Sequence, residues 1–328
     1  MKTSEYSFAG QRLRIRIVGL RLASFIEAAF SPLRVARDGS APDLLVDLWH
    51  EAETGVDCPG RVPFADPRAK GRFQASADNR YVLHSRAHSE TSFDRRDRRI
   101  VGWVFDTDRL NIYELGRPLN SELLLWNKDR GLQALHAGLI AKGDDGVLVA
   151  GPSRVGKTTT SLACLMGGLQ FLSDDYVALE SSADGFLGHT LFGSAYVEGE
   201  HLKRFPLLAP HAIAARYSDE EKLLIPLARV GSGTMSPVTR VRALLLPTIT
   251  DSPSTRLRPA GKGEAFRRLA PSSLLVLRRA GVDEGRGRHE ELEQLSRLVS
   301  TLPSYWLEIG GAIEQIPERI GGLLEEVG

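Results

Sequence analysis

Polar and apolar residues alternate from 11 to 19 (Gln-Arg-Leu-Arg-Ile-Arg-Ile-Val-Gly), which predicts a half-buried strand. Leu22 to Phe30 reads as a short helix, and Leu44 to Leu48, after Pro42, as a second strand. Cys58 to Lys70 is rich in Pro, Gly and Asp and predicts a loop. Between Gly71 and Glu114 several short strands are expected, among them Arg80 to His84 and Ile100 to Phe105. Residues 1–125 therefore read as a smaller, strand-rich α+β region.

The pattern changes from about Ser121, and residues 126–328 read as one α/β domain with a mixed sheet. Leu123 to Leu135 suits a helix or a turn-rich link. Leu135 to Lys142 and Val147 to Ala150 predict two strands joined by a turn at Gly143-Asp144-Asp145-Gly146. Thr158 to Met166 predicts a helix closed by Gly167-Gly168, and Leu169 to Leu172 a buried strand. Further strands are expected at Leu223 to Leu227 and Val241 to Leu246. Two amphipathic helices, Glu290 to Thr301 and Ile316 to Glu326, end the chain, with Pro317 in a first turn.

Composition narrows the class. Of 328 residues, 42% are hydrophobic, enough for a sizeable core. Lys plus Arg number 42 against 41 for Asp plus Glu, a balance that gives no general reason to bind nucleic acid or an acidic membrane. The run Asp94-Arg95-Arg96-Asp97-Arg98-Arg99 reads as a solvated turn with internal charge pairing. The apolar stretch Ile17 to Phe30 is broken by Arg21 and Glu27 and does not read as a membrane span. Cys58 and Cys164 lack metal-ligand spacing and are expected as free thiols of a cytoplasmic protein.

Residues 151–158 (Gly-Pro-Ser-Arg-Val-Gly-Lys-Thr) match G-x-x-x-x-G-K-[ST] between a predicted strand and a predicted helix. Gly151 and Gly156 let the backbone curl tightly. The N–H groups of the loop, through Ser153, Arg154, Val155 and on to Thr159, then form an anion nest at the positive end of a helix. Lys157 is placed to reach the outer phosphates of a nucleoside triphosphate, and the Thr158 hydroxyl to ligate Mg²⁺.

Asp174-Asp175 follows only 17 residues after Lys157. A right-handed strand-helix-strand unit returns the second strand parallel to the first, so both carboxylates emerge at the edge that carries the phosphate loop. One can serve as general base toward a hydroxyl, the other as a metal ligand; a Ser-Asp-Asp cap or turn is the plain alternative. With residues 143–146 as the turn, 142 faces 147, and continuing in register His136 falls opposite Ser153, beside the loop.

Leu135-His136, the loop Gly151 to Thr158 and Leu172-Ser173-Asp174-Asp175 together resemble the catalytic core of HPr serine kinases and HPr-kinase-like proteins, a core similar to that of phosphoenolpyruvate carboxykinases. The resemblance covers about residues 132–180 and runs more loosely to the end. It implies ATP and Mg²⁺ as cofactors, Lys157 on the phosphates, Thr158 and Asp175 on the metal side, Asp174 as the base, and His136 as its neighbour. Arg154 stands where those kinases usually have Gly, and Tyr196 to Lys203 replaces their Glu- and Gly-rich signature. The chain looks more like kinases that tailor lasso peptides, which implies a hydroxyl of a peptide or protein, commonly serine, as acceptor.

Residues 1–125 are then expected to recognise substrate. Glu198 or Glu200 would add a metal contact, and Lys222 a phosphate contact, if they are other than surface residues. The residues leave open a nucleotide-binding regulatory module without phosphotransfer, a kinase of a small-molecule hydroxyl, and the oligomeric state, a homo-oligomer included. Neither an Asn-Lys-x-Asp run nor a transporter-type signature is present, which disfavours a GTPase or motor.

Overall fold

The computed structural model describes residues 1–61, 71–216, 222–231, 235–274, 276 and 287–328. The expected loop Cys58 to Lys70 lies partly outside these residues; its described part, 58–61, holds no helix or strand.

The first eight strands are β1 (Lys2–Phe8), β2 (Gln11–Val18), β3 (Arg34–Val35), β4 (Leu44–His50), β5 (Arg72–Ala75), β6 (Tyr81–Ser85), β7 (Ser89–Asp94) and β8 (Arg99–Val104). They form one mixed sheet in the order β3-β1-β2-β4-β8-β7-β6-β5. The alternation in β2 turns Leu13, Ile15 and Ile17 inward and Arg12, Arg14 and Arg16 outward. Those arginines meet carboxylates of neighbouring strands, Arg12 and Arg14 on Glu5 and Arg16 on Asp47. Strand β1 was not expected; it pairs with β2 through a two-residue turn, Ala9-Gly10, with positive φ at both positions.

In the charged run, the pairing is not internal. Asp94 and Asp97 take Arg80, Arg95 takes Asp129, and Arg99 takes Asp47. Arg80 comes from beside β6, Asp47 from β4, which runs parallel to β8, and Asp129 from the end of the helix Asn120–Asp129.

The helix Asn120–Asp129 settles the ambiguous segment after Ser121. It buries Leu123, Leu124 and Trp126 in the core of the first sheet, together with Leu191 and Phe192 from later in the chain. One apolar cluster thus joins the two parts of the molecule.

The second sheet contains β9 (Gln133–Leu135), β10 (Ala137–Lys142), β11 (Asp145–Ala150), β12 (Gln170–Ser173), β13 (Val177–Ser182), β14 (Gly185–Thr190), β17 (Val238–Ile249), β18 (Arg256–Pro259) and β19 (Ser304–Ile309). Its main path is β12-β10-β11-β17-β14-β13-β9, with β19 between β17 and β18. Strands β15 (Ser194–Glu198) and β16 (Lys222–Pro226) form a separate pair. Helices Lys157–Met166 and Ile316–Val327 cover one face of the central strands, and Lys262–Ser273 with Gly287–Thr301 cover the other. That double cover explains why Val147-Leu148-Val149-Ala150 is uniformly apolar: both its faces are buried. The fold is a mixed α/β architecture.

Two details of the β10–β11 hairpin differ from expectation. The turn is only Gly143-Asp144, because Lys142 pairs with Asp145, and of the two central residues only Gly143 has positive φ, at 62°. The register therefore shifts by two, and Ala137 faces Ala150. The pairing ends there, so the position of His136 opposite Ser153 that the four-residue turn predicts does not form.

Candidate active site

The expected strand Leu135 to Lys142 is broken at His136, and the break builds the site. On one side of it Leu135 pairs with Val177 of β13; on the other, Leu139 pairs with Ser173 of β12 and Ala137 with Ala150 of β11. The interruption at 136 thus lies against the interruption at 174–176 and against the start of the phosphate loop. Three gaps in the strand network meet at one place. Strands β11 and β12 run in the same direction, as expected of the strand-helix-strand unit, with β10 between them.

Ser173 closes β12 with a local turn. Its hydroxyl accepts from the N–H groups of Asp175 (3.2 Å) and Tyr176 (3.1 Å) and donates to the Tyr176 carbonyl (2.7 Å). This turn presents the two acids differently. Asp174 is 3% exposed and accepts from the Tyr196 N–H at 3.2 Å. Asp175 is half-buried, with His136 Nε2 at 3.0 Å and an Arg117 guanidinium nitrogen at 2.6 Å. The same Arg117 nitrogen lies 3.6 Å from Asp174.

Arg117 was not legible from sequence. No motif surrounds it, and it belongs to the strand-rich region expected to recognise substrate. It caps the short helix Ile112–Gly116 and is buried, its guanidinium 4.1 Å from the Tyr196 ring centroid and 5.1 Å from that of Tyr176. Gly116 permits this approach: a Cβ there would sit 2.4 Å from the Tyr196 hydroxyl oxygen. Ser194 fixes the segment further by donating to the Gly116 carbonyl at 2.7 Å.

The electrostatics separate the two carboxyls. Burial pushes Asp174 upward, Asp175 beside it adds to this, and Arg117 opposes, leaving it at about 7. Burial also works against an ionised Asp175, but Arg117 and His136 outweigh it and hold that carboxyl well below the usual range.

The loop is placed as expected at the start of the helix Lys157–Met166, with Gly156 as its N-cap at φ 107°. A Cβ at Gly156 would lie 2.6 Å from Ile309 Cδ1, so glycine is required there for space as well as torsion. Arg154 also adopts positive φ, 67°, a conformation that suits glycine. Lys157 is buried and donates to the carbonyls of Gly151 (2.8 Å) and Pro152 (3.0 Å). Burial lowers its pKa, Asp175 and Asp174 oppose that, and Lys222 adds to it. Lysine, acids and loop therefore share one electrostatic cluster. Ser153 and Arg154 are exposed, and Val155 and Thr158 half-buried. The Thr159 hydroxyl lies 2.9 Å from His201 Nε2.

Lys222 sits on β16 near this cluster, its Nζ 5.9 Å from the Tyr113 ring centroid. Glu198 is exposed, and Glu200 is an exposed partner of Lys203. Neighbours Glu220 and Glu221 lie outside the described residues. Cys58 and Cys164 are free and buried. Among the described residues no helix is long and apolar enough to cross a membrane.

No family model matches the chain, and no curated protein matches it. Among solved structures, it is similar to the HPr(Ser) kinase/phosphatase from Coxiella burnetii, over 60% of this chain and 99% of that one, with a TM-score of 0.33 and 14% identity.

Proposed function

We propose that the chain is an ATP-dependent kinase that phosphorylates a hydroxyl, most simply a serine, of a peptide or protein. One observation carries this reading: the phosphate-loop lysine and the tandem acids, 17 residues apart, fall in a single buried cluster that includes His136 and Arg117. A loop that only held nucleotide would need one acid on the metal side, but no second acid placed as a base.

In the proposed reaction the loop N–H groups and Lys157 hold the outer phosphates. Asp174 accepts the proton of the acceptor hydroxyl as its oxygen forms a bond to the terminal phosphorus. The bond from that phosphorus to the bridging oxygen breaks, and the electron pair leaves with the diphosphate. Arg117 and His136 hold Asp175 in its ionised form. The donor set suits magnesium: Thr158 and Asp175 offer oxygen only. Bound there, Mg²⁺ would neutralise phosphate charge.

The test is incubation with labelled ATP and serine-containing peptides. Lys157→Ala should lose both nucleotide binding and transfer. Asp174→Ala should lose transfer by about 10²-fold or more while nucleotide binding persists. Hydrolysis with no acceptor ever labelled would sink the kinase reading in favour of a regulatory module. Equal loss of nucleotide binding in both variants would remove Asp174 from the role of base.

A further inference from the structure

The ribbon β15–β16 touches the site at two points. The Tyr196 N–H donates to Asp174 at 3.2 Å, and the ring of His201, on the short helix Gly199–Leu202 that follows β15, lies 2.9 Å from the Thr159 hydroxyl. Residues 196–201 therefore span from the acids to the helix that begins at the loop 151–158. Glu198 stands between those two contacts, and Lys222 lies in register with it across the ribbon.

Alternation decides which way Lys222 faces. Ala195, Val197 and Ile225 enter the core shared with the helix Lys157–Met166, while Tyr196 and Leu224 pack beside Tyr113 on the other face. Lys222 precedes Leu224 by two residues and takes that second face, which is why its Nζ lies 5.9 Å from the Tyr113 ring centroid. The Tyr196 ring on the same face packs on the Arg117 guanidinium at 4.1 Å, and Arg117 in turn holds Asp175 at 2.6 Å.

Three cations and two acids meet in this region, and two of the cations are engaged. Arg117 is bound to Asp175, and Lys157 donates to the Gly151 and Pro152 carbonyls. The Lys222 ammonium is half-buried and has neither an ion-pair nor a hydrogen-bond partner among the described residues. Its charge acts on Asp174 and on Lys157, which places it within electrostatic reach of both. Two lysines that repel each other, one of them without a counter-ion, suit a ligand with more negative charge than the two acids supply. The terminal phosphate of a nucleoside triphosphate is such a group.

We propose that Lys222 is a further catalytic residue, whose ammonium donates hydrogen bonds to the terminal phosphoryl oxygens of the bound triphosphate and stabilises their charge during transfer. It gives up no proton and forms no covalent bond. This deepens the kinase reading and rests on its nucleotide half, a triphosphate held at the loop 151–158; it does not depend on which hydroxyl accepts.

The test measures binding of adenylyl imidodiphosphate and of ADP, each with Mg²⁺, to the full chain by titration calorimetry. Lys222→Met keeps the apolar stem and removes the charge. It should weaken the triphosphate analogue about tenfold, the worth of a hydrogen bond to a charged group, and ADP less than about twofold. Lys222→Arg should restore most of the triphosphate affinity. Lys203→Met, which removes an exposed lysine paired with Glu200, should change neither nucleotide, so that a general loss of positive charge is told apart from a contact. Unchanged triphosphate affinity in Lys222→Met overturns the proposal. Equal loss for both nucleotides, with a lowered urea midpoint, makes Lys222 a structural residue and overturns it as well. No phosphate is transferred in these titrations, so failure of the kinase reading is seen separately, as hydrolysis without a labelled acceptor.

Discussion

Arg117 donates to Asp175 Oδ2 over 2.6 Å, joining residues 58 positions apart in sequence. The contact ties the segment that follows the first sheet to the acids that follow β12. Removing Arg117 would leave two adjacent carboxylates with one fewer cation in a buried setting. Because Asp175 is partly exposed, the cost should fall near the lower end for a broken buried pair, about 3 kcal/mol. Arg117→Met should show this loss in urea unfolding and should also abolish transfer. Arg117→Lys should recover part of the stability but not the packing of the guanidinium on Tyr196 and Tyr176, since an ammonium has no planar face.

Arg154 occupies the loop 151–158 at φ 67°. A left-handed torsion costs an L-residue about 1–2 kcal/mol, and glycine gives back part of this through its greater unfolded-state freedom. Arg154→Gly is therefore expected to raise stability by about 0.5–1 kcal/mol in chemical denaturation. The variant also separates torsion from charge: if the guanidinium contacts phosphate, nucleotide affinity will fall while stability rises.

Glu122 predicts an acid-sensitive core. Burial would lift its carboxyl from the ordinary value of 4.5, but Arg86, the His84 hydrogen bond and Thr91 outweigh burial and hold it well below. A depressed folded-state value contributes stability that is fully present above the unfolded value and lost as pH falls toward the folded one. His84 is also lowered from 6.5, chiefly by burial and then by Arg86, so the folded state resists its protonation and stability declines below about pH 6.5 as well. Unfolding followed from pH 7 to pH 3 should show both limbs in the native chain. Glu122→Gln should flatten the limb below about pH 5, and an unchanged slope there would dissociate Glu122 from acid sensitivity.

Much of the second sheet is legible from sequence because its signals are local. The strand before the loop, the helix Lys157–Met166 with Gly167 at its end, and the last two helices follow from runs and periodicities a few residues long. The helix Lys262–Ser273 and the pair β13–β14 were not anticipated. The turn at Gly143-Asp144 was misjudged by two residues, since four turn-forming residues in a row do not say which two bend.

His136 shows where local reading reaches its limit. Its position beside Asp175 depends on β9 and β10 choosing different partners, which no run of adjacent residues encodes. The amino-acid order alone determined the glycine-bounded loop 151–158 and the acids that follow it, because glycine torsions, helix ends and strand endings are properties of neighbours. Only the tertiary structure decided that Arg117 joins those acids, and that burial pushes Asp174 up while Arg117 and His136 hold Asp175 down. Those outcomes depend on burial and charge between segments far apart in the chain, and burial is a property of the whole packed core.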